Sequence, residues 1–276
     1  MFTPETFIVI GGDRRMEHLA QYLLQEHHVL RITGNASWED HIPGSHLLFP
    51  MPFSRDGTHI SGMEESELTA AQLLAYLERK PGSVFGGSLP DSIREQCQAL
   101  SIPAFDWMEM EDVALPNAVL TAEGAIAEAI LQTNRSLQNC RCLILGWGRC
   151  AQTLARRIRH LVRETFICAR NPYQRLCAQS EGFSAASLSD ISPLLPGYDL
   201  IFNTVPAMIL PANDAALLSP GSVLLDLASG PLSSHIDMAL YRGTAVSCPG
   251  LPGKYFACDA GEILARAALG RISSIS

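Results

Sequence analysis

Two glycines near the middle of the chain, Gly146 and Gly148, have the spacing of a turn that binds phosphate. They stand in LILGWGRCA, where an apolar stretch leads through G-x-G-x-x-A into a helical pattern. The first glycine permits a tight turn, the second lets a pyrophosphate approach the backbone, and the small last residue lets helix pack on strand. An ordinary strand–helix turn is the alternative. The flanking pattern favours a dinucleotide site, with contacts from Gly146, Gly148, Arg149, Cys150 and Ala151.

The residues after the next predicted strand indicate which dinucleotide this is. In an NAD site, an Asp or Glu about 20 residues beyond the glycines binds the ribose hydroxyls. Here the strand ends in Arg170-Asn171, with Arg175 one helical turn further. A guanidinium can bind a 2′-phosphate through two hydrogen bonds and cannot replace the carboxylate. NADP is therefore favoured over NAD; a solvated loop position is the alternative for Arg170.

Two later strands contribute further candidate residues. Ligands of such sheets bind beyond the carboxyl ends of the strands. We expect contacts to the cofactor and the substrate from Asn203, Thr204, Val205 and Pro206 after one strand, and from Ala228 and Ser229 after the next. Asp226, at the same edge, either contacts a ligand or caps a turn. His235 is the best-placed histidine, although we expect it to pack rather than react.

The elements that must position these residues alternate along the chain. Strand-like runs in the first half lie at 6–13, 29–33, 45–52, 83–88 and 103–107, and helical patterns at 14–27, 67–79 and 90–100. In the second half, strands are predicted at 141–146, 165–169, 199–203, 222–227 and 244–247. Short strands separated by helices predict parallel sheets with crossover helices.

We therefore predict an α/β protein with two doubly wound, Rossmann-like domains and a cleft between them. The boundary is placed at Pro116-Asn117, after which an Ala-rich amphipathic stretch predicts a linking helix. Residues 1–117 form the predicted substrate and catalytic domain. Residues 118–276 form the predicted cofactor domain, with the linking helix and the C-terminal helix near 257–269.

Composition excludes several classes of protein. The chain has 276 residues, a net charge of −8 and 47% hydrophobic residues, which is typical of a globular protein and not of a nucleic-acid binder. No apolar run approaches the roughly 18 residues that span a bilayer, and no signal-peptide pattern opens the chain. The eight cysteines include no CxxC motif, and no histidines cluster at metal spacing. We expect a soluble cytoplasmic protein with reduced thiols and no metal.

Six stretches, in order over nearly the whole length, resemble the A subunits of dipicolinate synthase. They are IVIGGDRR, PNAVLTAEGAIAEAILQT, LILGWGRCAQTLA, NTVPAMIL, DLASGP and CPGLPGKYFACDAGEILA. The resemblance implies NADP-dependent oxidation of a hydroxy-tetrahydrodipicolinate to pyridine-2,6-dicarboxylate. It also implies a partner, a flavoprotein-like B subunit, and a location in the mother cell of a spore-forming bacterium. We further expect a homo-oligomer.

The chain departs from the pattern of this family in two places. Pro231-Leu232-Ser233 replaces a Pro-Gly-Gly sequence, which puts a glycine-dependent anion contact there in doubt. Cys248 and Cys258 stand where less unusual residues are expected. Neither departure removes an evident catalytic group.

The substrate implied by the resemblance is a dianion, so two cationic or amide-rich carboxylate sites are expected. One candidate is GGDRR at 11–15, with Arg14 and Arg15 at the start of a helix; the other is Lys254, one of only two lysines, in a Pro/Gly loop. Ser88 and Thr121 are further expected substrate contacts. The catalytic candidates are Asp13, Glu123 and Lys254, although Glu123 could instead brace the linking helix and Lys254 could be a solvated surface residue.

Two other functions remain open at this point. One is a dehydrogenase of 2-hydroxy or 2-amino acids, although the hydroxy-acid enzymes usually place an Arg where this chain has Ser229-Gly230. The other is a non-catalytic subunit that binds NADP and regulates a partner. The weak set of acid–base groups keeps this second alternative open.

Overall fold

The chain folds into two compact units. A computed structural model describes residues 3–34, 43–64 and 69–275. The first unit comprises Met1–Asn117 and Phe256–Ser276, and the second comprises Ala118–Tyr255.

The first unit is built on a five-stranded parallel sheet. Its strands are β1 (Thr6–Ile10), β2 (His28–Ile32), β3 (His46–Leu48), β4 (Ser83–Gly86) and β5 (Ala104–Asp106). Their spatial order is β2-β1-β3-β4-β5. Phe7 and Val9 face one apolar core while Ile8 and Ile10 face another. Burial on both faces explains why β1 is a continuous apolar run rather than an alternating one.

The helices of this unit cover both faces of the sheet. They are α1 (Arg14–Leu23), α2 (Ala70–Leu77), α3 (Asp91–Ala99), the start of α4 (Glu111–Gln132) and α9 (Ala257–Ile275). The sequence pattern predicted α2 from residue 67; residues 67 and 68 lie outside the described residues. Asp13 begins α1, because its side chain accepts the backbone N–H of Arg15.

The assignment of the C-terminal helix to the second domain was wrong. Helix α9 packs on α1, and its Leu264, Ala265 and Ala268 belong to the core of the first unit. Gly261 permits this contact, because a side chain there would collide with the backbone of Arg15 and Leu19. An Ala-rich helix fits either core by composition, so its pattern did not decide between the two.

The second unit is built on a six-stranded parallel sheet. Its strands are β6 (Arg141–Leu145), β7 (Glu164–Cys168), β8 (Ser184–Ala186), β9 (Leu200–Asn203), β10 (Val223–Asp226) and β11 (Thr244–Ser247). Their order is β11-β10-β9-β6-β7-β8. Counted within the unit, this is the strand order of the doubly wound dinucleotide-binding fold, which reverses direction between β6 and β9. Ligands of such folds bind at that switch point.

The helices of the second unit are the rest of α4, then α5 (Arg149–Ile158), α6 (Pro172–Ser180), α7 (Ala212–Ala215) and α8 (Leu251–Tyr255). Helix α4 begins at Glu111, so Pro116 lies inside the helix and does not precede it as the sequence had indicated. Within the described residues, only α4 is long and apolar enough to cross a membrane by length and composition. Its Ala122, Ala125 and Ala129 are buried in the core of the second unit, as in the core helix of a globular protein.

Candidate functional site

The glycine turn lies at the switch point of the second sheet. Gly146 follows β6 with φ +108°, a conformation that side chains disfavour. A side chain there would also collide with the hydroxyl of Thr204, which follows β9. That hydroxyl donates to the carbonyl of Leu145 at 2.8 Å. The two strand ends therefore hold each other at a spacing that only glycine permits.

Gly148 leaves the start of α5 open. It is the N-cap residue, with φ −81° and ψ −176°, and contributes no side-chain acceptor to the first turn of the helix. A Cβ atom there would meet nothing within 4 Å. Ala151 is fully buried, so its small side chain lets α5 pack closely on the sheet. Open helix amides beside a glycine turn form a cradle that fits a pyrophosphate.

The flanking residues of the cradle differ in exposure. Arg149 is exposed and Cys150 is partly buried. Burial raises the pKa of the Cys150 thiol, so this sulfur is protonated and neutral at neutral pH. Neither residue therefore adds negative charge to the cradle.

The turn after β7 separates charge from scaffold. The guanidinium of Arg175 donates to the carbonyls of Ala169 and Arg170 at 2.9 and 2.8 Å, so it shapes the turn. Asn171 caps α6 by accepting the Tyr173 N–H at 2.9 Å. Arg170 itself is exposed. The side chains of Arg175 and Asn171 thus support the backbone, and the guanidinium of Arg170 faces solvent.

A buried polar network joins the ends of β9 and β10. Asp226 accepts the side-chain amide of Asn203 at 2.7 Å, and its other oxygen lies 2.8 Å from Nδ1 of His235. Asn203 in turn accepts the backbone N–H of Val205 at 2.9 Å. All three side chains are at most 2% exposed. Asn203 is thus a support for the residues that follow it, and the prediction that His235 packs agrees with its burial.

The remaining predicted residues at this edge surround the network. Thr204 and Val205 are partly buried, Pro206 and Ser229 are exposed, and Ala228 is buried. Because β9 and β10 are neighbouring parallel strands, these residues follow the carboxyl ends of adjacent strands. Their position is the one expected for residues beside a cofactor in this fold.

The turn after β1 in the first unit contains a tight ion pair. The guanidinium Nε of Arg15 donates to both oxygens of Asp13 at 2.9 and 3.1 Å, and its NH2 donates to the Met51 carbonyl at 2.7 Å. Burial works against ionisation of Asp13, but the hydrogen bonds and charge of Arg15 outweigh it and lower the pKa. Arg15 is therefore neutralised by Asp13 and bound to the scaffold, whereas Arg14 is exposed.

Lys254 has an acidic partner that the sequence did not reveal. Its ammonium donates to Glu128, which also accepts the hydroxyl of Tyr255 at 2.8 Å. Glu128 is 3% exposed although it lies on the otherwise Ala-rich α4. The hydrogen bond from Lys254 lowers the pKa of Glu128, and the same bond raises the pKa of Lys254. An acid within the apolar stripe of α4 was the one available signal.

The other predicted residues lie on exposed turns and helix surfaces. Ser88 is exposed with φ +55°, and its N–H donates to Asp106 at 3.0 Å. Glu123 is exposed on α4, 3.7 Å from the guanidinium of Arg157. Thr121 is partly buried one turn earlier on the same helix. The contact with Arg157 fits the bracing alternative for Glu123.

Comparison with known proteins bears directly on this pattern of residues. No protein-family model matches the chain. The chain is 26% identical to the A subunit of dipicolinate synthase from Bacillus subtilis, over 96% of this chain and 95% of that protein. The chain is a homologue of this dipicolinate synthase protein. The resemblance noted from its motifs is thereby confirmed.

Solved structures show the same fold. The A subunit of dipicolinate synthase from Bacillus halodurans has a TM-score of 0.83 at 23% identity, covering 99% of each chain. Its Bacillus subtilis counterpart has a TM-score of 0.82 at 24% identity, covering 100% of this chain and 99% of that one. A D-lactate dehydrogenase from Treponema pallidum follows at 0.61 and 17%, covering 91% and 81%. The predicted fold of two Rossmann-like domains is confirmed, and the homology supports an oxidoreductase.

Proposed function

We propose that this chain is the NADP-dependent subunit of a dipicolinate synthase. It would oxidise 4-hydroxy-tetrahydrodipicolinate to pyridine-2,6-dicarboxylate together with a B subunit. The observation that carries this proposal is the homology over nearly the full length, because it includes the glycine cradle and the strand ends around it. The first unit would bind the substrate and the second the cofactor.

The second unit fits a dinucleotide. Gly146, Gly148 and the open first turn of α5 would hold the pyrophosphate. Thr204, Val205 and Ser229 lie at the carboxyl edge of the sheet, where the nicotinamide end is expected. NADP, when bound, accepts the hydride that leaves the substrate.

The turn after β7 favours NADP over NAD. The exposed Arg170 supplies a positive charge at the position where an NAD site has a carboxylate, and no acidic residue stands at 169–171. Arg175 and Asn171 fix the backbone of this turn, so the charge of Arg170 is presented from an ordered loop.

The reaction requires little acid–base strength from the protein. The ring loses water and then a hydride and a proton, and formation of the aromatic ring drives the second step. Arg14 and Lys254 would bind carboxylates, with Ser88 and Thr121 as further polar contacts. Among the catalytic candidates, Asp13 has a lowered pKa and is therefore a weak base. Glu123 carries no such constraint and is the better candidate for taking a proton.

The partner and the location follow from the same homology. The relative is designated by the letter A among the subunits of its enzyme, which implies a second kind of subunit. We propose that a flavoprotein-like B subunit completes the enzyme. We propose the cytoplasm of the mother cell of a spore-forming bacterium as the site of action.

An omission assay tests this function. The B subunit, the chain, NADP and a source of hydroxy-tetrahydrodipicolinate are combined, and each is left out in turn. We expect dipicolinate absorbance and NADPH to appear together, and to require the chain and NADP. Absence of product from the complete mixture, with NADPH binding intact, would overturn the proposal.

The fold favours one second candidate. A D-lactate dehydrogenase shares this architecture, which favours a 2-hydroxy acid dehydrogenase as the alternative. Ser229-Gly230 follow β10 without an arginine, which weighs against it. Oxidation of a panel of 2-hydroxy and 2-amino acids separates the two, because turnover of any of them without dipicolinate formation would favour the alternative. Cofactor binding with no turnover in either assay would indicate a regulatory subunit.

A further inference from the structure

The first unit contains a cavity at its own topological switch point. The sheet order β2-β1-β3-β4-β5 reverses direction between β1 and β3. The cavity, of about 170 Å³, is lined by Gly12 and Asp13 after β1 and by Pro50 and Met51 after β3. Sheets of this order bind their ligands at this point.

The loop that contains Ser61 forms one wall of the cavity, and glycines allow it to lie directly against the β1–α1 turn. The Gly12 N–H donates to the Ser61 carbonyl at 2.6 Å, and the Ser61 N–H donates to the Phe53 carbonyl at 2.8 Å. A side chain at Gly11 would collide with the Ser61 carbonyl, and one at Gly62 would collide with the backbone of Gly12. The position of Ser61 is therefore fixed through its backbone.

The Ser61 hydroxyl has no hydrogen-bond partner in the described part of the chain. Ser61 lines the cavity, is 4% exposed, and its Oγ is buried. Buried hydroxyls in folded proteins almost always have a partner, and an exception is explained by a ligand or a functional role. A donor that is fixed and unsatisfied at the wall of a cavity points to a group that accepts from it.

The charges around the cavity are mixed. Arg15 is neutralised by Asp13, but Arg55 is exposed and makes no hydrogen bond or ion pair with the described residues. Glu64 accepts the Gly62 N–H through one oxygen at 3.0 Å. This bond lowers the pKa of Glu64, and the nearby charge of Arg55 lowers it further. The cavity thus offers one unpaired cation and one ionised acid with a free oxygen.

A ligand that satisfies all three groups needs a carboxylate next to a nitrogen that carries hydrogen. We propose that this cavity binds one carboxylate of the substrate and its ring nitrogen: Ser61 donates to the carboxylate, Arg55 pairs with it, and Glu64 accepts from the nitrogen. This inference rests on the proposed function and specifies its substrate subsite. It adds three residues that no motif indicated.

The subsite distinguishes substrate from product. The nitrogen of a partly saturated ring can carry a proton, whereas the nitrogen of pyridine-2,6-dicarboxylate carries none at neutral pH. Formation of the aromatic ring therefore removes the contact to Glu64 and leaves an acid facing a lone pair. The product binds more weakly than the substrate and leaves.

Titration calorimetry on the full chain tests this with two probes, cis-piperidine-2,6-dicarboxylate and pyridine-2,6-dicarboxylate. We expect the piperidine compound to bind the wild-type protein more tightly. Ser61→Ala and Arg55→Gln should each weaken both compounds about tenfold. Glu64→Gln should weaken the piperidine compound alone and remove the preference. The matched controls Ser274→Ala, Arg163→Gln and Glu95→Gln remove the same groups from sites outside the cavity and should change neither affinity.

Each outcome decides the inference. Wild-type affinities in Ser61→Ala and Arg55→Gln, with unfolding temperatures unchanged, overturn the subsite, and so does a wild-type protein that binds neither probe. Equal binding of both probes overturns the contact to Glu64. Failure of the proposed function is a separate result: no dipicolinate forms in the complete assay, although the piperidine compound binds and depends on Ser61.

Discussion

Asp226 and His235 form a buried pair beside the glycine cradle, with a carboxylate oxygen 2.8 Å from Nδ1 of the imidazole. The second carboxylate oxygen accepts the Asn203 amide, so one acid satisfies donors from two other segments. Buried networks of this kind are costly to break, because each remaining member loses its partner in a place that water does not reach. The pair holds the ends of β9 and β10, where the proposed cofactor contacts begin.

Replacement of Asp226 tests this supporting role. Asp226→Asn presents an amide to two donors, and we expect it to lower the free energy of unfolding by about 2 kcal/mol. Urea unfolding measures the change. Asp190→Asn, at an exposed aspartate of the same unit, is the matched control and should leave the midpoint unchanged. Equal midpoints for both variants and the wild type would show that the network contributes nothing.

Gly148 allows cofactor binding to be separated from folding. Open space surrounds its Cα, and α5 has no side-chain cap, so Gly148→Asp should cap the helix and preserve stability. The same carboxylate would occupy the phosphate position and weaken NADPH by about a hundredfold or more. Gly148→Ala, which adds no charge, is the comparison. Retained NADPH affinity in a folded Gly148→Asp protein would show that the cradle is misassigned.

Arg170 should set the preference between the two nicotinamide cofactors. A bond from a guanidinium to a phosphate is charge-assisted, so Arg170→Ala should weaken NADPH about tenfold or more and leave NADH nearly unchanged. Fluorescence titration with both cofactors measures the ratio. Arg163→Ala, at another arginine of the same unit, should alter neither affinity. Equal losses for NADPH and NADH would remove Arg170 from the 2′-phosphate role.

The pair of Glu128 and Lys254 makes a pH-dependent prediction. Glu128 raises the pKa of Lys254, so the amine remains protonated and unreactive to higher pH than it would alone. Glu128→Gln should lower that pKa and speed acylation of Lys254 at mildly alkaline pH. Mass spectrometry resolves the two lysines, and Lys80 in the same sample serves as the internal reference. An unchanged ratio of Lys254 to Lys80 acylation would contradict the pairing.

Local patterns predicted the fold and the cradle well, because both depend on neighbouring residues. The apolar runs of β1 and β6 and the glycine turn after β6 need no distant information. Strand β8 was missed because Ser-Ala-Ala has little β propensity and the strand is short and at an edge. Pro116 was interpreted as a boundary, although it lies in the second turn of α4.

The side-chain partners could not be predicted in this way. Glu128 and Lys254 are separated by 126 positions, so their pairing depends on the packing of α4 against α8. Ser61 became a candidate only through the fold, because the glycines that bring its loop to Gly12 act through space. Arg15 illustrates the opposite error: its charge suggested a substrate contact, whereas Asp13 neutralises it.

The ratio of the two products tests the central claim most directly. The chain, NADP and the B subunit convert a known amount of hydroxy-tetrahydrodipicolinate, and NADPH and dipicolinate are quantified in the same sample. Loss of water, then of one hydride and a proton, requires equal amounts of the two, and this is the predicted result. Dipicolinate formed without matching NADPH would contradict the account, because the chain would then not transfer the hydride to this cofactor.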